Sequence, residues 1–311
     1  MSSAPPIDPA AQTPPEEPPS GHGGRHSPWM DVDWRAHQRW VIVDGRPVNT
    51  IDLGSGPAVV FVHGLSGSWP NWLEQLPVLA REHRAIALDL PGFGHSPMPR
   101  DPISIPGYAR LLDGLLDELG VAGAAVVGNS MGGFIAAELA INVPQRVERL
   151  VLVSAAGLST HNDPRTRYAL PALRRAERIM QATGAWLATK SDAVVRRRRL
   201  RAAALNVVTR HPNRLDGALA AEQVRGAGKP GFMQALQAIF DYDVRERLPQ
   251  IACPTLIVWG ERDRLITVHD ADVFAELIPD SRKVVYEDTG HVAMLERPDE
   301  FNALLEDFLA E

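Results

Sequence analysis

Ala124-Ala125-Val126-Val127-Gly128-Asn129-Ser130-Met131-Gly132-Gly133 is the stretch that decides how this chain folds. Its first four residues are apolar and end in a β-branched pair, which reads as a short buried strand. The small residues that follow leave room for an abrupt turn into a helix. Such a turn needs little bulk two positions either side of its apex, and Gly128 and Gly132 meet that need. Ser130 at the apex is lifted clear of the sheet, with the N–H groups of a helix start facing whatever it meets. The stretch therefore reads as a nucleophile elbow. Gly-rich strand-to-helix turns also bind phosphates, but the lysine of a phosphate loop and the spaced glycines of a dinucleotide fingerprint are absent.

The flanking segments predict the sheet that carries this turn. Trp40–Val43 and Val48–Leu53 read as an antiparallel hairpin around Asp44-Gly45. Ala58–Val62, Ala85–Leu88 and Leu150–Val153 are short, continuously apolar and rich in β-branched residues, as strands covered on both faces are. Tyr108–Leu119 reads as a helix with a leucine face, stopped by Gly120. Strand and helix alternate, so the expected fold class is α/β with a doubly wound, mostly parallel sheet. The alternation lapses across residues 158–248, which read as helices and loops with an excess of basic residues. It returns in Thr255–Trp259, a helix over Val268–Leu277, the strand Lys283–Tyr286 and a closing helix begun by Pro298. The expected organisation is a core of residues 37–157 and 249–311, a helical insertion at 158–248, and a disordered Pro-rich tail at 1–30.

Composition narrows the function classes. A hydrophobic content of 45% allows a large core, and a net charge of -6 gives no electrostatic reason to expect nucleic acid as a partner. The single Cys253 excludes an internal disulfide and suits a reducing, cytoplasmic setting. Next to Pro254 it reads as a small hydrophobe. No apolar run is long enough for a membrane span, and the N-terminus lacks the apolar block of an export signal. His22 and His26 in the tail lack the carboxylates or thiols of a metal site. Oligomeric state is not legible.

Partners for Ser130 stand at the ends of other predicted strands, where ligands of open α/β sheets bind. His63-Gly64-Leu65-Ser66-Gly67 closes the strand ending at Val62, and the N–H of Leu65 with that of Met131 forms a candidate oxyanion hole. Asp263 follows the strand ending at Trp259, and His291, in Thr289-Gly290-His291, follows the next one. The chain order is serine, acid, histidine. In that set His291 takes the proton of Ser130 and Asp263 orients the imidazole. In isolation, Asp263 reads as a surface carboxylate and His291 as a hydrogen-bonded loop histidine. His63, Gly64, Gly128, Asn129 and Gly132 complete the elbow and mouth. Serine, imidazole and backbone donors suffice for acyl transfer, so no cofactor and no metal are expected.

With these residues in place, the chain resembles the α/β-hydrolase superfamily from about Gln38 onward. Asp89-Leu90-Pro91-Gly92-Phe93-Gly94-His95-Ser96 adds to the likeness, with His95 and Ser96 read as structural. The resemblance implies that 158–248 is a cap over the pocket, and Ser130 sets the chain apart from members with an aspartate nucleophile. Asn129 before the serine and Gly132-Gly133 after it are similar to the meta-cleavage-product hydrolases, which split carbon-carbon bonds. His291-Val292-Ala293-Met294-Leu295-Glu296-Arg297-Pro298 departs from those enzymes, which tend to carry tryptophan after the histidine, and looks like esterase and lipase members. The expected activity is therefore hydrolysis of a carboxylic ester of a small or medium lipophilic substrate. Carbon-carbon hydrolysis and a small-molecule receptor with little turnover are the alternatives. Met180, Trp186, Leu187, Phe232, Met233, Leu236 and Phe240 are candidate cap pocket residues, and also candidate cap core. Arg196–Arg199 with Arg201 reads as a solvated helix face, with attraction of an anionic substrate, acidic partner or membrane surface as the alternative.

Overall fold

The computed structural model describes residues 26–161 and 164–311. Within 164–180, side chains are described only at Pro171, Ala172, Arg175 and Ile179. The chain opens with a 3-10 turn, Pro28–Asp31, and a short helix α1, Trp34–His37. The hairpin β1, Gln38–Val43, and β2, Arg46–Gly54, turns through Asp44 and Gly45, whose φ values of 49° and 70° match a tight two-residue connection. Then come β3, Ala58–Val62, α2, Leu76–Leu79, β4, Arg84–Leu88, and α3, Ile105–Glu118. Ser104 caps α3 by accepting the Gly107 N–H, and Gly120 just beyond it has φ 65°. β5, Ala124–Asn129, α4, Met131–Asn142, and β6, Val147–Val153, complete the first half.

Five helices separate β6 from the next strand: α5, Pro164–Thr189, α6, Ser191–Arg196, α7, Arg198–Leu205, α8, Gly217–Arg225, and α9, Phe232–Asp241. β7, Thr255–Gly260, α10, His269–Leu277, β8, Ser281–Tyr286, α11, Ala293–Glu296, and α12, Pro298–Ala310, close the chain.

The strands form one eight-stranded sheet in the order β1-β2-β4-β3-β5-β6-β7-β8. Only the β1–β2 and β2–β4 pairings are antiparallel. Period-two alternation divides the interior strands cleanly. Val60, Val62, Val126, Leu150, Leu152, Ile257 and Trp259 pack with α3, α4 and α10 on one face. Val59, Phe61, Val127, Val151, Val153, Leu256 and Val258 pack with α2, α11 and α12 on the other. The inserted helices straddle the two clusters: Ala235, Ala238 and Ile239 of α9 join the first, and Leu219, Ala220 and Val224 of α8 the second.

One expectation is corrected at the N-terminus. Residues 1–25 lie outside the described residues, but 26–30 do not belong to a tail. Ser27 is buried, and Ser27 Oγ and Trp29 Nε1 both donate to Glu74 Oε1 at 3.0 Å. The Trp34 and Trp69 rings pack with centroids 5.1 Å apart. Trp29 and Trp34 supply the apolar area that the Pro- and Glu-rich residues before them lack, which is enough to offset ordering.

Candidate active site

The connection from β3 runs outward to β4, and the chain then returns to place β5 on the other side of β3. The crevice at such a reversal lies between the carboxyl ends of β3 and β5. Ser130 stands there, between β5 and α4, with φ 57° and ψ -119°. That backbone costs about 1–3 kcal/mol for a residue with a side chain. Surrounding bonds hold it: Ser130 N–H donates to Val153 O at 2.9 Å, and Ser130 O accepts from Ala156 N–H at 3.0 Å. From Ala124 to Ile141, Ser130 alone is not buried. The flanking glycines are required by contact. A Cβ on Gly128 would stand 2.3 Å from Gly132 O, and one on Gly132 would stand 2.1 Å from Val62 O.

Asn129 does more than border the serine. Its Nδ2 donates to Val153 O at 3.0 Å and to His291 O at 3.3 Å, tying the elbow to the histidine loop. His63 is fully buried and bridges two loops. Its Nε2 accepts from Leu90 N–H at 3.0 Å, so Nδ1 carries the proton and donates to Gly64 O at 2.8 Å. Burial pushes the His63 pKa down, which keeps the ring neutral for both bonds. Gly64 O also accepts from Gly67 N–H at 3.0 Å, closing a turn whose Ser66 has φ 61°. Among the described residues Leu65 in that turn donates its N–H to no backbone acceptor, and Met131, at the first position of α4, has no intrahelical acceptor.

Asp263 and His291 come together from separate loops. His291 Nδ1 lies 2.7 Å from Asp263 Oδ2, with the Asp263 side chain fully buried and that of His291 4% exposed. Asp263 Oδ1 accepts from Leu265 N–H at 2.8 Å and Ile266 N–H at 3.0 Å, which fixes the carboxylate. The loops touch through glycine: a Cβ on Gly260 would lie 2.1 Å from Gly290 O. With Nδ1 engaged, Nε2 is the nitrogen left for proton transfer. Among the described residues Ser130 Oγ makes no hydrogen bond to His291, and the link between their loops runs through Asn129.

Residues outside the expected set also shape the site. Glu296 accepts from Gly290, Arg210 and His211 N–H groups, and Asp89, fully buried, accepts from Asn49 Nδ2, Trp69 N–H and His95 N–H. Ser96 Oγ accepts the Asn49 N–H, so His95 and Ser96 brace the strand-end loop as expected. A cleft of about 690 Å³ between residues 98–106 and α9 has Met233 on its wall and none of Ser130, Asp263 or His291. A second, of about 300 Å³, lies between His95 and the α8-side residues Glu222, Arg225 and Lys229, again away from those three. Trp186 is 61% exposed and lines neither of these clefts, and the side chain of Met180 lies outside the described residues. Arg196–Arg199 is exposed as expected, but it is not one helix face, because α6 ends at Arg196 and α7 starts at Arg198. Burial pushes the Cys253 thiol up to about 11, in line with an inert hydrophobe. Among the described residues no cluster of His, Cys, Asp or Glu is placed to hold a metal, and no helix is long and apolar enough to cross a membrane.

Comparison with known proteins matches residues 57–298 to the α/β-hydrolase fold family. The chain belongs to that family. This α/β-hydrolase is 33% identical over 282 residues to the dihydrolipoyllysine-residue acetyltransferase component of the acetoin cleaving system of Cupriavidus necator, covering 90% of this chain and 71% of that protein. It is 30% identical over 288 residues to the 2-hydroxymuconate semialdehyde hydrolase of Pseudomonas sp. strain CF600, covering 88% and 94%. Among solved structures it is similar to the enol-lactonase from Burkholderia xenovorans LB400, with a TM-score of 0.72, 27% identity, and coverage of 88% and 100%. The α/β-hydrolase described here is a hydrolase of this family.

Proposed function

We propose that this α/β-hydrolase is a serine hydrolase that cleaves a carboxylic ester of a small or medium lipophilic substrate. The observation that carries the reading is the buried 2.7 Å pairing of His291 Nδ1 with Asp263, which leaves Nε2 as the nitrogen available for proton transfer, in a loop tied through Asn129 to the strained Ser130 turn. Ser130 Oγ attacks the acyl carbon while His291 Nε2 takes its proton, and Asp263 stabilises the imidazolium that forms. The N–H groups of Leu65 and Met131 receive the developing oxyanion. As it collapses, the alkoxide leaves with the proton from His291. Water, deprotonated by the same imidazole, then attacks the acyl-enzyme and releases the acid and free Ser130.

Val292, buried beside His291, supports the ester reading through its likeness to esterase members, and an enol-lactonase among the structural relatives is consistent with it. One observation favours a second reading. Asn129 before Ser130, with 30% identity to a 2-hydroxymuconate semialdehyde hydrolase, supports attack on a ketone and release of a carbon leaving group. Steady-state turnover of p-nitrophenyl esters of rising acyl length, beside a vinylogous diketo acid, separates the two. Ester turnover abolished by Ser130→Ala is expected. Preference for the diketo acid moves the assignment to carbon-carbon hydrolysis, and saturable binding without product moves it to a receptor.

A further inference from the structure

Glu296 lies outside the set that performs the chemistry above, yet its side chain accepts three backbone N–H groups where that of Asp263 accepts two. Its Oε1 accepts from Gly290 N–H at 2.8 Å, immediately before His291. Its Oε2 accepts from Arg210 N–H at 2.9 Å and His211 N–H at 3.2 Å, in the segment between α7 and α8. The same segment meets the histidine itself, because His291 N–H donates to Val208 O at 3.0 Å. Gly290 is hemmed in: a Cβ there would stand 2.7 Å from both Arg210 N and Glu296 Oε1. One carboxylate thus links the residue before His291 to the inserted helices.

We propose that Glu296 is a positioning residue for His291, holding the 208–211 segment and the histidine loop in one register so that the imidazole keeps its line toward Ser130. This rests on the serine-hydrolase reading. Only an ionised carboxylate offers lone pairs to all three N–H groups without presenting a proton to any of them. Burial pushes the Glu296 carboxyl up to about 7, so its protonation falls within an accessible range. The charge acting on it is Arg297 beside it, whereas Arg210 and His211 meet it through their backbone N–H groups and turn their side chains to Asp288. Asp288 is engaged by Arg210 Nε at 2.9 Å and His211 Nε2 at 2.6 Å. Arg297 Nε donates to Thr289 Oγ1 at 3.2 Å. Glu296 therefore adds a proton of its own that must leave before Ser130 is activated, and the acid limb of the rate is steeper than one proton allows.

The test is the rate of Ser130 labelling by a fluorophosphonate from pH 5 to 9 in the wild type, Glu296→Gln and Glu296→Asp, with circular dichroism to check folding. The expected result for Glu296→Gln is labelling at least about tenfold slower at pH 8, with an acid limb reduced to a single proton. Glu296→Asp, which keeps the titrating group, retains the second proton and carries the test alone if the Gln variant does not fold. Wild-type rate and slope in a folded Gln variant, or a single-proton limb in both wild type and Asp variant, overturn the proposal. Failure of the wild type to label at Ser130 overturns the hydrolase reading instead.

Discussion

From Ala124 to Ile141 every residue but Ser130 is buried, whereas across the insertion Ile179, Trp186, Leu200 and Val207 stand at least 44% exposed. The elbow is held by steric contact and backbone bonds on all sides. The insertion meets the core through apolar residues of α6 to α9, through Tyr242 and Arg247 on Glu138, and through loop bonds at Gly231 and 208–211. The contrast teaches that atoms at strand ends have one allowed place, while the helices over them have latitude. Substitutions should then fall into two classes by region rather than by residue type.

Asp263→Asn is the severest way to sharpen this contrast after loss of the serine itself. It keeps the shape but misorients the imidazole, and kcat is expected to fall about 10⁴-fold with little change in melting temperature. A drop below tenfold in steady-state ester hydrolysis sinks the role given to Asp263. Next in size is Gly132→Ala, which forces a Cβ against Val62 O and is expected to cost about 1–3 kcal/mol in urea unfolding. An unchanged midpoint breaks the claim that the elbow has no slack.

The region where the two halves meet predicts a smaller, pH-dependent effect. Arg210 and His211 hold the Asp288 carboxyl at about 2, below its ordinary 3.8. Its stabilising contribution is present above pH 3.8 and lost as pH falls through about 2. Glu296 is raised from 4.5 to about 7, so its contribution is full below 4.5 and lost as pH rises through about 7. Thermal melting between pH 4.5 and 7 should show a decline that Glu296→Gln flattens. Parallel curves for the two proteins contradict this linkage. Smallest of all is replacement of Arg196–Arg199 by glutamine. These side chains are exposed and join no ion pair among the described residues, so stability should stay within about 0.5 kcal/mol and ester turnover should hold. A raised KM for an anionic ester alone would give the run a steering role and break the comparison.

What the sequence makes legible follows from the range of each signal. Ala58–Val62 and Asp44-Gly45 announce themselves through neighbours, and the strand and turn stand where their residues put them. Gly128 and Gly132 are likewise local, since the turn needs their smallness whatever lies beyond. Glu296 is different. It sits in the quoted run after His291, but nothing nearby says that its partners are Arg210 and His211, more than 80 positions upstream. Ser27 and Trp29 read as tail for the same reason, because their acceptor, Glu74, lies far along the chain. The Arg run reads as one helix face because no breaker residue marks the end of α6, where Arg197 adopts an extended φ of -100° and ψ of 107°.

The assembly of the site from four strand ends bears on how activity returns after unfolding. The proposed set of Leu65, Ser130, Asp263 and His291 follows β3, β5, β7 and β8, so no short stretch of the chain holds it. Contacts of such sequence separation form late, since loop closure must precede the contacts that reward it. Regained turnover in a refolding experiment therefore reports completion of the β3–β5–β6–β7–β8 run of the sheet and lags behind recovery of helical signal.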